Sequence, residues 1–163
     1  MDKKDIYDYL DKNKIEYEIT DHKAVYNMKE VAEIEVPYPE QDAKNLFVRD
    51  DKKRNYYLIT VKGNKRVDLK EFRKRYETRP LSIASEEDLN TILKLIPGAV
   101  SPFGLLNDDQ KKTAFCIDKD YIGGNQLIGI HPNDNTATVW IKVYDLLNIF
   151  RNNNIEIMIV DIG

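Results

Sequence analysis

The chain has 163 residues, of which 42% are hydrophobic and 33% charged, a composition that fits one domain with a buried core and excludes a disordered or fibrous chain. It has no apolar run near the roughly 18 residues of a membrane helix and no apolar N-terminal stretch typical of a signal peptide. One cysteine, Cys116, excludes an intrachain disulfide and a cysteine-cluster metal site. We therefore expect a cytoplasmic protein, one domain over residues 1–163, that holds no metal and no cofactor.

The first part of the chain alternates helices with short strands. Apolar residues spaced for one helix face predict a first helix, with an apolar side made of Ile6, Tyr9 and Leu10. A short strand is expected from Ile15 to Ile19. Asn27 and Glu30 resemble a capping box that opens a second helix, and Pro37 follows that helix as its stop signal.

Two strands and a helix are predicted next. The strands cover 46–48 and 56–61 and are joined by a polar turn. Asp68 is expected to cap a helix whose apolar side is formed by Leu69, Phe72 and Tyr76. Three basic residues share a neighbouring side at i, i+3 and i+4: Lys70, Arg73 and Lys74.

The second half of the chain is richer in strands. Ser85 and Asp88 predict the start of a helix that stops before Pro97. Strands are expected at 113–117, 126–130, 137–141 and 155–160, with a last helix around Leu146, Leu147 and Phe150. Because several strands follow one another directly, we expect an α/β (α+β) fold with a mixed sheet rather than a βαβ repeat.

Charge is distributed unevenly. Residues 44–79 contain 13 basic and 5 acidic residues, a net charge of +8, whereas the rest of the chain carries −11. Such a segment can hold a phosphate backbone while the acidic body repels it. The alternative is a solvated surface that has no ligand.

Common catalytic motifs are absent from the sequence. It has no phosphate-binding glycine loop, no HExxH or CxxC metal motif and no GxSxG nucleophile elbow. Cys116 lies in an apolar run and is interpreted as a buried small hydrophobe rather than a nucleophile. His22 and His131 are the two conventional bases that the chain offers.

Three features remain as candidates for chemistry. Lys44, followed by Asn45, stands at the entrance of a strand, where its ammonium could meet a phosphate or a developing negative charge. The residues from Gly98 to Pro102 form a stiff turn that could aim backbone amides at an oxyanion. His131 closes a strand and could bind a hydroxyl or act as a base. Each also has an ordinary structural interpretation: a surface lysine, a helix-to-strand connection and a structural histidine.

Four motifs, in order along the chain, resemble the YbaK/ProX superfamily, free-standing relatives of the editing insertion of bacterial prolyl-tRNA synthetase. The likeness runs from about Tyr26 to Val160. The motifs are Ala43-Lys44-Asn45-Leu46-Phe47-Val48, Arg66-Val67-Asp68-Leu69-Lys70, Pro97-Gly98-Ala99-Val100-Ser101-Pro102-Phe103-Gly104-Leu105-Leu106-Asn107-Asp108 and His131-Pro132-Asn133-Asp134-Asn135-Thr136-Ala137-Thr138.

The resemblance implies a curved, mostly antiparallel sheet flanked by helices, with a pocket for the aminoacylated 3′ end of tRNA. It implies a catalytic set of Lys44, Asn45 and His131. It also implies an aminoacyl pocket lined by the loop residues Gly98, Ala99, Val100, Ser101 and Pro102. Lys44 and the loop are expected to converge on that pocket, and Lys70, Arg73 and Lys74 are the candidate tRNA-binding residues.

The similarity is greatest to the ProX/PrdX branch, which implies hydrolysis of mischarged tRNA(Pro), above all Ala-tRNA(Pro). Two alternatives stay open: a Cys-tRNA(Pro) deacylase of the YbaK branch, and a non-catalytic module that binds tRNA or an amino acid. The implied partners are mischarged tRNA(Pro) and, transiently, prolyl-tRNA synthetase or an elongation factor, with no DNA and no membrane.

Overall fold

The computed structural model describes residues 1–24 and 35–162. Its strands, numbered in chain order, are β1 (Tyr17–Asp21), β2 (Ala43–Asp50), β3 (Tyr56–Lys62), β4 (Leu81–Ile83), β5 (Thr113–Asp118), β6 (Leu127–Ile130), β7 (Ala137–Lys142) and β8 (Ile157–Val160). Its α-helices are α1 (Lys3–Lys12), α2 (Leu69–Tyr76), α3 (Glu86–Asp88) and α4 (Val143–Asn152). A π-helical turn, Leu89–Leu93, continues α3, and 3-10 turns cover Pro39–Gln41, Pro102–Asn107 and Lys119–Tyr121.

The strands form two sheets. The larger one has the order β4-β2-β3-β5-β8, with β2 antiparallel to β3 and β4, and with β3, β5 and β8 parallel. The smaller one, β1-β7-β6, is antiparallel. A parallel bridge between Asp42 and Gly129 connects them. The expected mixed α/β class is confirmed, but its sheet is divided in two.

Both faces of the five-stranded sheet are covered. On β2, Phe47 belongs to the main core, which also holds α1, α4 and the smaller sheet, whereas Val48 belongs to a second cluster beneath α2. Alternation along the strand therefore assigns a side to each of its residues. Phe72 is the buried contact of α2, as its position on the predicted apolar side requires.

The helix starts were predicted well because capping is local. Asp68 accepts hydrogen bonds from the backbone amides of Lys70 and Glu71, and Ser85 accepts one from the amide of Asp88. The helix that begins after Ser85 ends with Lys94 in the left-handed conformation, three residues before Pro97. The predicted helix from Asn27 lies outside the described residues.

Two observations on the described residues concern membrane-spanning helices and the reactivity of Cys116. None of their helices is both long enough and apolar enough to cross a bilayer. Cys116 is fully buried in β5, and burial raises the pKa of its thiol to about 12, so it packs as a small hydrophobe.

Candidate active site

Lys44 lies near the start of β2, on the same side of the sheet as Leu46 and Val48, which is the side covered by α2. Its ammonium donates a hydrogen bond to the backbone carbonyl of Lys65, in the turn that follows β3. Within residues 1–24 and 35–162, no carboxylate lies within 4.0 Å of Lys44 Nζ. Lys44 is thus a half-buried cation held by a neutral partner.

Asn45 points to the opposite side of the sheet, toward the main core. Its Oδ1 accepts a hydrogen bond of 2.6 Å from the hydroxyl of Thr60, its partner across the β2–β3 ladder. Thr60 is fully buried, so this contact fixes the amide of Asn45. The contact leaves Nδ2 as the donor end of the Asn45 amide.

The loop from Gly98 to Pro102 runs from the surface of the protein into its interior. Gly98 is exposed and has φ of 88°, a conformation that favours glycine, while Ala99 and Ser101 are buried. The amide of Ala99 already donates to the carbonyl of Ile96, and Pro102 has no amide proton. The amides of Gly98, Val100 and Ser101 have no acceptor in the described part of the chain. Of these three residues, Gly98 is exposed and Val100 half-buried, whereas Ser101 is fully buried, so only the first two amides lie where a ligand could reach them.

His131 directly follows β6 and is fixed by main-chain contacts. Its Nδ1 lies 3.0 Å from the carbonyl of Ala137, and because a carbonyl only accepts, Nδ1 carries the proton. Nε2 is then the acceptor nitrogen of the neutral ring. Burial lowers the pKa of His131, which keeps the ring neutral at physiological pH.

One side-chain hydrogen bond and one backbone bridge bring these three features to one edge of the molecule. The hydroxyl of Ser101 donates to the carbonyl of His131, which ties the loop to the end of β6. Two residues earlier, Gly129 bridges to Asp42, which precedes Lys44 by two residues. The loop, His131 and the start of β2 are therefore neighbours.

The side chains do not all converge as expected. Lys44 and Asn45 lie on opposite sides of β2, and the Lys44 ammonium is directed to the Lys65 turn rather than toward the Gly98 loop. The expectation of one pocket shared by Lys44 and the loop is therefore not met in this structure. At the start of β2, the Lys44 ammonium therefore lies on one side of the sheet and the Asn45 side-chain amide on the other.

Two further titratable residues belong to this region, His22 beside His131 and Asp42 near His22. The rings of His22 and His131 are 6.1 Å apart, and His22 Nε2 is 3.1 Å from the hydroxyl of Thr138. Burial raises the pKa of Asp42 to about 6, against the opposing effects of its hydrogen bond with the Ala43 amide and of the nearby His22. Sequence reasoning missed Asp42 because the polar stretch around it gave no sign of burial.

The basic residues of α2 lie on the exposed part of this helix. Lys70, Arg73 and Lys74 are all exposed and stand one helical turn apart, away from the buried Phe72. A groove of about 160 Å³ on the same helix is of mixed charge, because Arg66 and Arg75 share its lining with Asp68, Glu71 and Asp161. This cationic face adjoins the side of the sheet that carries Lys44.

Within the described ranges, no three His, Cys, Asp or Glu side chains are grouped so that they could hold a metal ion. The arrangement offers free backbone amides, a neutral imidazole and a cation. Hydrogen-bond donors of this kind can stabilise a developing negative charge, and a lysine ammonium can meet a phosphate.

Comparison with known proteins gives one family. Residues 22–149 match the model of the aminoacyl-tRNA editing domain, which is more than half of the chain. The chain is 40% identical over 144 residues to the prolyl-tRNA editing protein ProX of Acetoanaerobium sticklandii, covering 88% of this chain and 87% of that one.

More distant proteins share the same extent. The prolyl-tRNA synthetase associated domain-containing protein 1 of Danio rerio is 30% identical over 150 residues, covering 91% of this chain and 81% of that protein. A crystal structure described as a candidate trans-editing enzyme for prolyl-tRNA synthetase superposes with a TM-score of 0.65 at 20% identity. It covers 90% of this chain and 87% of the other, and at that identity it supports the fold alone.

Proposed function

The chain belongs to the aminoacyl-tRNA editing domain family, and from that premise we propose that it is a trans-editing deacylase that hydrolyses mischarged tRNA(Pro), with Ala-tRNA(Pro) as its main substrate. The observation that carries this proposal is the 40% identity to a prolyl-tRNA editing protein over 88% of the chain. The editing domain occupies residues 1–163, and its substrate partner is tRNA. Contact with prolyl-tRNA synthetase or an elongation factor is transient.

The reaction needs positioning more than a strong nucleophile, because the aminoacyl ester is already activated. Water, or the vicinal ribose hydroxyl ahead of water, adds to the ester carbonyl carbon. The bond from that carbon to the ribose oxygen then breaks, the ribose oxygen gains a proton, and alanine leaves as the free amino acid. Well-placed hydrogen-bond donors can supply much of the acceleration for such a step.

The loop amides are the donors for the developing oxyanion. Gly98 and Val100 present N–H groups that the fold leaves without an acceptor in the described ranges. Ala99 and Ser101 are buried behind them, Ser101 ties the loop to His131, and Pro102 adds stiffness. His131 Nε2 accepts a hydrogen bond from a hydroxyl of the terminal ribose, with no change of charge on the ring. Asn45, on the main-core side of β2, donates a hydrogen bond from Nδ2 to the substrate.

Lys44 serves the phosphate rather than the carbonyl. Its ammonium lies on the α2 side of β2, next to the basic face formed by Lys70, Arg73 and Lys74. The terminal nucleotide would cross the start of β2, with its phosphate on the cationic side and its ester on the loop side. This arrangement makes use of the separation between Lys44 and Asn45.

Selectivity follows from size. We expect the aminoacyl group to lie against Val100, in a space that admits the methyl group of alanine and excludes the proline ring by steric clash, which discriminates better than attraction to one methyl group. The enzyme then spares correctly charged prolyl-tRNA. A cysteine side chain is intermediate in size, so the preference for alanine over cysteine is the finer part of the proposal.

The test is a panel of tRNA(Pro) charged with alanine, serine, cysteine or proline and incubated with the protein. We expect fastest release of alanine and no acceleration for proline over buffer. Faster release of cysteine would assign the YbaK-type activity instead. Equal release of proline would overturn the selectivity, and binding without release would identify a non-catalytic module.

A further inference from the structure

Lys65 has an arrangement of contacts that the proposed reaction does not explain. Its Nζ lies 2.6 Å from Asp118 Oδ2, 2.5 Å from Asp120 Oδ2 and 3.0 Å from the carbonyl of Ile162. Asp118 is fully buried and Asp120 is about half exposed. Three acceptors therefore surround one ammonium, which matches the three protons that it carries.

These contacts lie where the parallel strands end. Asp118 closes β5, and Ile162 follows β8, so Lys65 joins the ends of two neighbouring strands to the turn after β3. Burial opposes the charge of Lys65, but its hydrogen bonds to Asp118 and Asp120 outweigh burial and raise its pKa. The ammonium is fully engaged and cannot itself meet a substrate phosphate.

The backbone of the same residue holds Lys44. The turn is closed by a hydrogen bond of 3.0 Å from the Lys65 amide to the Lys62 carbonyl. It is attached to the start of β2 by one of 2.9 Å from the Gly63 amide to the Asp42 carbonyl. The carbonyl of Lys65 then accepts the hydrogen bond from the Lys44 ammonium. The side chain of Lys65 therefore fixes the position of the group that holds Lys44.

We infer that Lys65 is a positioning residue for Lys44. Its ammonium, clamped by Asp118, Asp120 and Ile162, holds the turn so that its carbonyl orients the Lys44 ammonium toward the tRNA phosphate. The inference rests on the proposed function for the identity of the substrate, but the contact that it concerns is within this chain. A misplacement of about 1 Å at such a group can reduce a rate about a hundredfold.

The experiment compares Lys65→Met with Lys65→Arg and with Lys119→Met. Lys119 is a neighbouring lysine, about half exposed, whose Nζ lies 3.1 Å from Asp161, so its loss removes the same charge without touching Lys44. We expect Lys65→Met to lower kcat on Ala-tRNA(Pro) about tenfold to a hundredfold. Lys65→Arg should restore most of kcat, and Lys119→Met should match the wild type.

A second readout reports on Lys44 directly and does not need a substrate. Reductive methylation followed by peptide mass spectrometry measures how fast each lysine amine reacts. We expect the Lys44 amine to react faster in Lys65→Met than in the wild type, and at the wild-type rate in Lys119→Met. A merely structural role for Lys65 would change the melting temperature but not the relative reactivity of Lys44.

The outcomes separate this inference from the proposed function. If the wild type releases no amino acid from any charged tRNA(Pro), the proposed function fails, and the methylation rates still decide the role of Lys65. A folded Lys65→Met with wild-type kcat and wild-type Lys44 reactivity overturns the inference. If Lys65→Met does not fold, Asp120→Asn weakens the clamp at its exposed member, and unchanged Lys44 reactivity in that variant overturns the inference equally.

Discussion

The hydroxyl of Ser101 donates a hydrogen bond to the backbone carbonyl of His131, across 30 residues of chain. The same oxygen accepts a hydrogen bond of 3.2 Å from the amide of Phe103 and so begins the 3-10 turn that follows. Since Ser101 is fully buried, one side chain fixes both the loop that carries free amides and the residue that carries the acceptor nitrogen.

Replacing this hydroxyl tests that connection. We expect Ser101→Ala to cost about 1–3 kcal/mol of stability, because the part-buried carbonyl of His131 and the buried amide of Phe103 lose their partner. Deacylation should fall further than the loss of folded protein explains, as measured by kcat at a temperature where the variant is folded. Ser82→Ala, at an exposed position of β4, is the control and should change neither quantity.

Lys44→Ala should abolish most deacylation and leave the melting temperature near that of the wild type, because the side chain is half-buried and its partner is one carbonyl. Lys52→Ala removes a lysine from the exposed β2–β3 turn and serves as the matched control. Turnover of Ala-tRNA(Pro) by Lys44→Ala at the wild-type rate would remove Lys44 from the site.

The basic face of α2 is tested by salt dependence. Changing Lys70, Arg73 and Lys74 together to glutamine should weaken tRNA binding and reduce the slope of log K against log salt by about two to three units, one for each lost phosphate contact. The control changes three exposed lysines in or next to α1 to glutamine: Lys4, Lys12 and Lys14. Equal slopes for the two triple variants would place the RNA on another surface.

Two glycines with positive φ separate backbone strain from function. Gly98 has φ of 88° and Gly123 has φ of 105°, so alanine at either position should cost about 1–2 kcal/mol. A Cβ at Gly123 meets nothing within 4 Å. We expect Gly98→Ala to lose deacylation activity and Gly123→Ala to keep it. Similar activity losses in the two variants would argue against a role for the loop.

Asp42 predicts a pH-dependent stability. Its pKa is raised from 3.8 to about 6, so its native state favours the protonated form and gains stability as pH falls from above 6 toward 3.8. We expect Asp42→Asn to be more stable than the wild type by about 2–3 kcal/mol at pH 8, with a difference that disappears near pH 4. Urea denaturation at the two pH values measures this.

The exposed Asp109 supplies the comparison for that measurement. Asp109→Asn should shift stability equally little at both pH values. If the difference in unfolding free energy between Asp42→Asn and the wild type were the same at both pH values, the pKa of Asp42 would not be raised in the folded state.

The parts of the fold that local chemistry determines could be predicted from the sequence. Asp68 and Ser85 cap helices where expected, and seven of the eight described strands were anticipated within about three residues at each end. Strand β4 was missed because Leu81–Ile83 is only three residues long and largely exposed, so it has no period to recognise. It exists because it pairs with the end of β2.

The site was predicted in part, for a physical reason. The motifs around Lys44, Gly98 and His131 are local, and the structure brings their backbones to one edge. The direction of the Lys44 side chain depends instead on the carbonyl of Lys65, 21 residues away, which no local pattern specifies. Asp42 likewise forms a backbone bridge to Gly129, 87 residues away, which no local pattern specifies.

Because Lys44 and Asn45 point to opposite sides of β2, the number of residues between Asp42 and the rest of the strand is constrained. A single residue inserted after Asp42 would exchange the sides of every later side chain in the strand, sending a cation into the main core and an amide toward the basic helix. Two inserted residues would return each side chain to its original side of the sheet but displace it along the strand by one two-residue repeat. Natural variation in chain length at this point is therefore expected to occur in steps of two or not at all.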